Sequence, residues 1–268
     1  MKLAFSTLGC PDWDFEDILS TAKDLGYNGI EVRGIGRELF APQAKPFLPE
    51  NIEATKARLA KLGLSICCLT SGVMLNATYR IERHLADGKA YIDLAQSLGS
   101  PYVRVIGDNA PEASDIPFKQ VAARLGQLCD YAKGTGVTIL IETNGALAKS
   151  ETMLQLLNEV NAENLAVLWD INHPVRNYGE SVEYTYEKLG KYIQYLHIKD
   201  SVATPEGTEY EMSGCGDLPI KEGVSRLQTN GFDGYLSLGW LKRWCLSLAE
   251  PGIVFPRYIS YMRNLMQT

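Results

Sequence analysis

The chain has 268 residues, is 46% hydrophobic and carries a net charge of −6, which suits one large buried core of α/β-barrel size. The acidic balance and the lack of any long basic run exclude nucleic acid as the expected partner, because phosphate contacts need a positive groove. No apolar stretch reaches the roughly 18 residues of a membrane-spanning helix, so no membrane partner is expected.

KLAFS reads as a first strand, since its apolar run is too short for a secretory leader. A helical pattern runs from its cap, Asp14, to Leu25, where Leu-Gly-Tyr-Asn-Gly breaks it. GIEVR is a second strand, followed by a loop with Pro42, Pro46 and Pro49 and a helix from about Ile52 to Leu62. LSICCLTS is a third strand, Arg80 to Leu98 a long amphipathic helix, and PYVRVIG a fourth strand. A helix from about Pro117 to Lys133 precedes VTILIET, and a helix over Glu151–Asn158 precedes LAVLWD. Helical residues at Val182–Leu189 lead into IQYLHIKD. A last unit has a helix from about Leu218 to Thr229, the strand GYLSLG, and a helix near Phe255–Met266.

These strands are apolar on both faces, as parallel strands covered by helices must be. Turns such as DLGYNGI, KLGLSI and TNGFDGY place glycine just past helix C-termini. Eight βα units predict a single (β/α)₈ TIM barrel over residues 1–268, with no linker to a second domain. A doubly wound open sheet is disfavoured because no GxGxxG follows the first strand. The six cysteines show no CxxC spacing and fit reduced thiols in a cytoplasm better than a disulfide framework.

Three apolar runs end in chemistry: VTILIET in Glu142, LAVLWD in Asp170 and IQYLHIKD in His197, spaced by about one βα unit of ~30 residues. Two carboxylates and an imidazole on one barrel rim form a ligand set for Mn²⁺, Mg²⁺, Co²⁺ or Zn²⁺ with room for substrate oxygens. Glu142 doubles as a candidate base. His173 precedes a proline, which predicts extended backbone and a ring able to reach a substrate hydroxyl or a second metal; the alternative is a loop histidine bonded to backbone. Lys199, in the same strand-end segment as His197, is a candidate substrate ligand. Glu31 and Arg33 share a strand face and either line the mouth or pair with each other. Trp240, with Lys242, Arg243 and Trp244, either stacks on a sugar face and holds a polar or phosphate group, or forms a hydrophobic patch.

The segments STLGCPDW, GYNGIEVR, YIDLAQSLGSPYVRV, ILIETNG, WDINHP, YLHIKD, GCGDLPI and DGYLSLGW together resemble the xylose isomerase-like barrel superfamily, and within it the bacterial sugar phosphate isomerase/epimerase proteins. The resemblance spans essentially the whole chain. It implies that Glu142, Asp170 and His197 bind metal, and that His173 binds substrate or a second metal. It implies a sugar or sugar phosphate substrate, handled by removing a proton beside a carbonyl through a metal-stabilised enediolate. The family's fourth ligand, a glutamate ending strand eight that also serves as a base, is here Gly239 in Ser237-Leu238-Gly239-Trp240. That departure leaves an impaired or altered enzyme, an inosose-type dehydratase or lyase using one base, or a non-catalytic sugar-binding barrel as alternatives. Glu206, Glu209 and Glu211, read as lying in a long loop after the seventh strand, or a water, are candidates to fill the gap. An endonuclease IV-like relative would carry more histidines and a basic face. A homo-oligomer is compatible with all of these.

Overall fold

Strands that are apolar along their whole length have two faces to bury, and a ring of strands inside a ring of helices buries both. The structure, a computed structural model, describes residues 1–268 except Asn109, residues 111–114 and Thr268. In chain order, β1 (Lys2–Ser6) leads to α1 (Phe15–Leu25), β2 (Gly29–Val32) to α2 (Ile52–Leu62), and β3 (Ser65–Met74) to α3 (Ile81–Leu98). Then β4 (Tyr102–Ile106) precedes α4 (Phe118–Tyr131), and β5 (Thr138–Glu142) precedes α5 (Ser150–Val160). After β6 (Leu165–Asp170) come α6 (Asn172–Tyr178) and α7 (Val182–Leu189). Finally β7 (Ile193–Ile198) runs into β8 (Asp200–Thr204) and β9 (Gly207–Glu211), before α8 (Ile220–Thr229), β10 (Tyr235–Leu238) and α9 (Pro251–Gln267).

The barrel closes in the order β1-β10-β7-β6-β5-β4-β3-β2, every neighbouring pair parallel, so the expected (β/α)₈ barrel is the fold. Local chemistry explains the boundaries. The Asp14 side chain accepts from Asp17 N and starts α1, while Gly26 ends it at φ 74°, a conformation that glycine adopts without a Cβ penalty. None of the described helices is long and apolar enough to cross a membrane.

Two stretches differ from the sequence expectation. The residues after β7 are an antiparallel hairpin, β8 on β9, rather than a plain loop. His173 lies in α6 rather than in extended backbone. Pro174 falls in the first turn, where a missing N–H costs no helical bond, and Asp170 Oδ1 accepts Asn172 N at 3.0 Å to open the helix.

Asp200, 3% exposed, anchors the hairpin: its carboxylate accepts from Ser201 N at 3.0 Å, Gly214 N at 2.8 Å and Gly216 N at 3.0 Å. Asp200→Ala leaves these backbone donors without their acceptor and should cost about 2–3 kcal/mol in urea unfolding, at the upper end of the penalty for unsatisfied buried groups. A loss near zero would show that water replaces the carboxylate.

Candidate active site

Period-two alternation puts Leu140, Leu168 and Tyr195 on the faces that carry Glu142, Asp170 and His197. The first three pack with Ala4, Cys67, Cys68 and Ala166, so the lumen is filled beneath the rim. Asp170 is paired in register with His197 across β6 and β7, and Ser237 with His197 across β10. Above this floor lies a cavity of about 410 Å³ lined by Glu31, Arg33, Thr70, Arg104, Glu142, Asn144, His173, His197, Lys199, Tyr210, Gly239 and Trp244, among others.

His197 is the hub. Its Nε2 lies 2.9 Å from Glu31 Oε2. Its Nδ1 stands 3.6 Å from both Glu142 Oε1 and Asp170 Oδ2 and has no hydrogen-bond partner. Burial would push the imidazole's pKa down, but Glu31, then Asp170 and Glu142, outweigh it and hold it well above its ordinary value. Glu31 also accepts from Thr70 Oγ1 at 2.8 Å and Tyr195 OH at 3.0 Å. Burial alone would raise Glu31; the charge of His197 and the hydrogen bonds from His197 and Thr70 prevail and hold it at about 2.

The two rim carboxylates each have a second cation. Arg104 Nε donates to Glu142 Oε2, and its Nη1 donates to Ser71 O at 3.2 Å. Against burial, Arg104 first, then His197 and Lys199, hold Glu142 well below the usual carboxylate range. Lys199 Nζ lies 2.5 Å from Asp170 Oδ2 and 3.5 Å from His173 Nε2. The contact with Oδ2 is a close, buried ion pair. Burial favours neutral Asp170, but Lys199, then His173 and His197, keep its pKa low. Asp170 and Glu142 likewise outweigh burial at Lys199 and raise it above its ordinary value. Burial dominates at His173 and lowers it.

One oxygen each of Glu142 and Asp170 and one nitrogen of His173 lie within 4.8 Å of one another. His197 Nδ1, close to both carboxylates, adds a second nitrogen. His197 Nδ1 and Asp170 Oδ2 lie 3.6 Å apart, with Lys199 Nζ on the carboxylate oxygen. This donor set fits a divalent cation, with His173 beside the expected Glu142, Asp170 and His197, provided that Nδ1 gives up any proton it carries.

Gly239 faces the site. A Cβ there would stand 2.8 Å from Lys199 Cε, 3.3 Å from Lys199 Cγ and 3.7 Å from His197 Cγ. The space that a strand-eight side chain would enter is therefore taken by the Lys199 stem. None of Glu206, Glu209 and Glu211 lines the cavity; the same hairpin contributes Tyr210 instead. Arg33 lines the cavity but does not pair with Glu31, whose partner is His197. Its guanidinium lies 5.8 Å from the Trp244 ring centroid, and among the described residues no carboxylate pairs with it.

Trp240 does not line the cavity. It is 4% exposed, donates Nε1 to Ala249 O at 2.9 Å and belongs to the core outside the barrel. With Gly239 pointing inward, its neighbour must point outward. Trp244, 54% exposed, lines the mouth in its place, together with Tyr210. Lys242 Nζ holds Leu246 O at 2.7 Å and Leu248 O at 2.6 Å, and Arg243 Nη2 holds Gly36 O at 2.8 Å, so both are loop clamps. Thr70, Asn144 and Tyr210 had no sequence signal, since a single polar residue in a loop or strand carries none.

The sequence profile described as "Xylose isomerase-like TIM barrel" matches residues 19–255. The chain belongs to this family. Among curated proteins, a "Fructoselysine 3-epimerase" of Shigella flexneri is 26% identical over 99% of this chain and 98% of its own length. Among solved structures, the "IOLI protein with a binding zinc atom" superposes with a TM-score of 0.80 at 18% identity, covering 100% of this chain and 98% of that one. D-Psicose 3-epimerase with D-tagatose from Clostridium cellulolyticum H10 gives 0.78 at 15% identity, covering 99% of each chain. At such identities the structural likeness is one of fold.

The Glu31–His197 pair makes stability depend on pH with a defined sign. Glu31 titrates at about 2 when folded against an ordinary 4.5, so its stabilisation is complete above 4.5 and drains as the pH falls through its folded value. Glu31→Gln should cost about 3–5 kcal/mol at neutral pH, the penalty for breaking a buried ion pair. Measured with chelator present, the Tm gap to wild type should narrow below pH 4.5. A gap independent of pH would mean that Glu31 is not the ionised partner.

Proposed function

We propose that this chain is a divalent-metal-dependent isomerase or epimerase of a sugar or sugar phosphate, acting by removal of a proton beside a carbonyl. The observation that carries the proposal is Glu142: a buried carboxylate at a barrel-strand end, facing the cavity beside a second carboxylate and two imidazoles. Whole-length kinship to a fructoselysine 3-epimerase supports a sugar ketone as the substrate class. Unpaired cysteines, four of them buried, agree with a cytoplasmic setting.

A divalent cation held by Glu142, Asp170, His197 and His173 supplies, when bound, Lewis acidity toward a carbonyl oxygen. The remaining chemistry belongs to the side chains. Arg104 occupies Oε2 of Glu142 and leaves Oε1 toward His197 and the cavity, so Oε1 is the oxygen that takes the substrate's proton. The C–H electron pair becomes a C=C bond, and the carbonyl π pair moves onto oxygen to give an enediolate. Arg104 keeps Glu142 ionised and oriented at the expense of its basicity. Returning the proton from Glu142 to the neighbouring carbon, while the hydroxyl proton passes to the former carbonyl oxygen and a new C=O forms, gives isomerisation. Inversion needs a second donor; with glycine at 239, that donor comes from Lys199 or Tyr210, which also line the cavity. Arg33 and Lys199 are the polar substrate contacts, with His173 in that role only where it is not given to the metal, and Trp244 rather than Trp240 offers the aromatic face.

A dehydratase of the inosose type is the second reading, favoured by one specific observation: Gly239 leaves Glu142 as the one carboxylate base expected of the pair, and elimination beside a carbonyl needs no second one. Incubating the protein with Mn²⁺ and a ketose panel that includes fructoselysine, in deuterated water, separates these. Proton NMR should show exchange at the carbon beside the carbonyl, reduced roughly 10²- to 10⁴-fold by Glu142→Gln, the range for losing a general base. Loss of water from a substrate without prior exchange would favour the dehydratase, and exchange unaffected by Glu142→Gln would remove Glu142 from the role of base.

A further inference from the structure

We propose that Lys199 is a resident cation that competes with a divalent metal for Asp170, and that the absence of a side chain at 239 is what admits it. Lys199's role rests on the metal-site reading above. Asp170 Oδ2 is the point of convergence: His173 Nε2 and His197 Nδ1 each lie 3.6 Å from it, and Lys199 Nζ lies 2.5 Å from it. The ammonium thus sits on the oxygen at which the imidazole donors meet. A second cation at that oxygen would repel it, since Asp170 and Lys199 are both buried and their charges are less screened than in bulk water. Metal entry requires Lys199 to swing away into the cavity that it already lines.

The path of the Lys199 side chain depends on Gly239. A Cβ at 239 would stand 2.8 Å from Lys199 Cε and 3.3 Å from Cγ, so any side chain there evicts Lys199 from this rotamer. The eviction is cheap for the fold, because the clash falls on a flexible stem and Gly239 is not at positive φ. Glu142 does not need Lys199 for neutralisation, since Arg104 is already paired with it. Asp170 is the carboxylate that Lys199 serves, and the metal would serve it instead.

Gly239→Ala is the discriminating variant, because alanine adds a Cβ and no ligand atom. Mn²⁺ dissociation constants, read from the EPR signal of free Mn²⁺, should tighten about tenfold or more in Gly239→Ala and in Lys199→Met. The double variant should bind no more tightly than Lys199→Met alone, since both changes remove one competitor. Gly239→Glu should bind more tightly than Gly239→Ala. If wild type and Gly239→Ala bind Mn²⁺ equally while Gly239→Glu tightens, position 239 is only a missing ligand, and the competition is overturned with the metal reading intact. Failure of every variant to bind Mn²⁺ overturns the metal reading and the competition together. Thermal melts of each variant confirm that the proteins compared are folded.

Discussion

The barrel mouth depends on keeping three carboxylates ionised away from water. Glu31, Glu142 and Asp170 are each at most 2% exposed, and an unpaired buried charge is too costly to persist. His197 lies among all three, Arg104 takes the far oxygen of Glu142, and Lys199 takes Asp170. Each cation is fixed by its own element: Arg104 by β4, His197 by β7, and Lys199 by the residue between β7 and β8. The lumen beneath, plugged by Tyr195, Leu168 and Leu140, prevents the strands from adjusting to relieve a missing partner. Charge balance and barrel register are therefore one constraint, and Tyr195 joins them by packing in the plug while donating its hydroxyl to Glu31.

Much of this was legible because period-two alternation is strict in a strand. An apolar run ending in a charge has few explanations, and Glu142, Asp170 and His197 stood out for that reason. Gly239 was legible in the same way, and its inward direction follows from pairing of Ser237 with His197. The same alternation argues against Trp240 as a sugar contact, since the residue after an inward one faces the helices. His173 was harder: a residue before proline favours extended backbone, but Asp170 offers its carboxylate to the first helical amide and the turn forms anyway.

What no sequence pattern conveys is partnership across the barrel. Glu31 and Arg33 share a strand and invite pairing, but Glu31 reaches His197, 166 residues away, and Arg33 reaches Trp244. The alternation of 195, 197 and 199 could indicate that Lys199 points inward, but not that its stem would lie over position 239. That outcome depends on empty volume, which is a property of packing rather than of residue type.

Electroneutrality gives the missing acid its meaning. With protonated His197, the three carboxylates face three cations, so the buried cluster is balanced by the protein's own groups. Adding a divalent ion to a balanced, buried site would leave excess positive charge to be shed. Two groups are placed to shed it: His197 by releasing the proton on Nδ1, and Lys199 by turning away from Asp170. A carboxylate at 239 would absorb part of that excess and would also exclude the Lys199 stem from its present path. Glycine does neither. A metal arriving here would meet the ammonium on Asp170, and its affinity would turn on how readily one lysine moves.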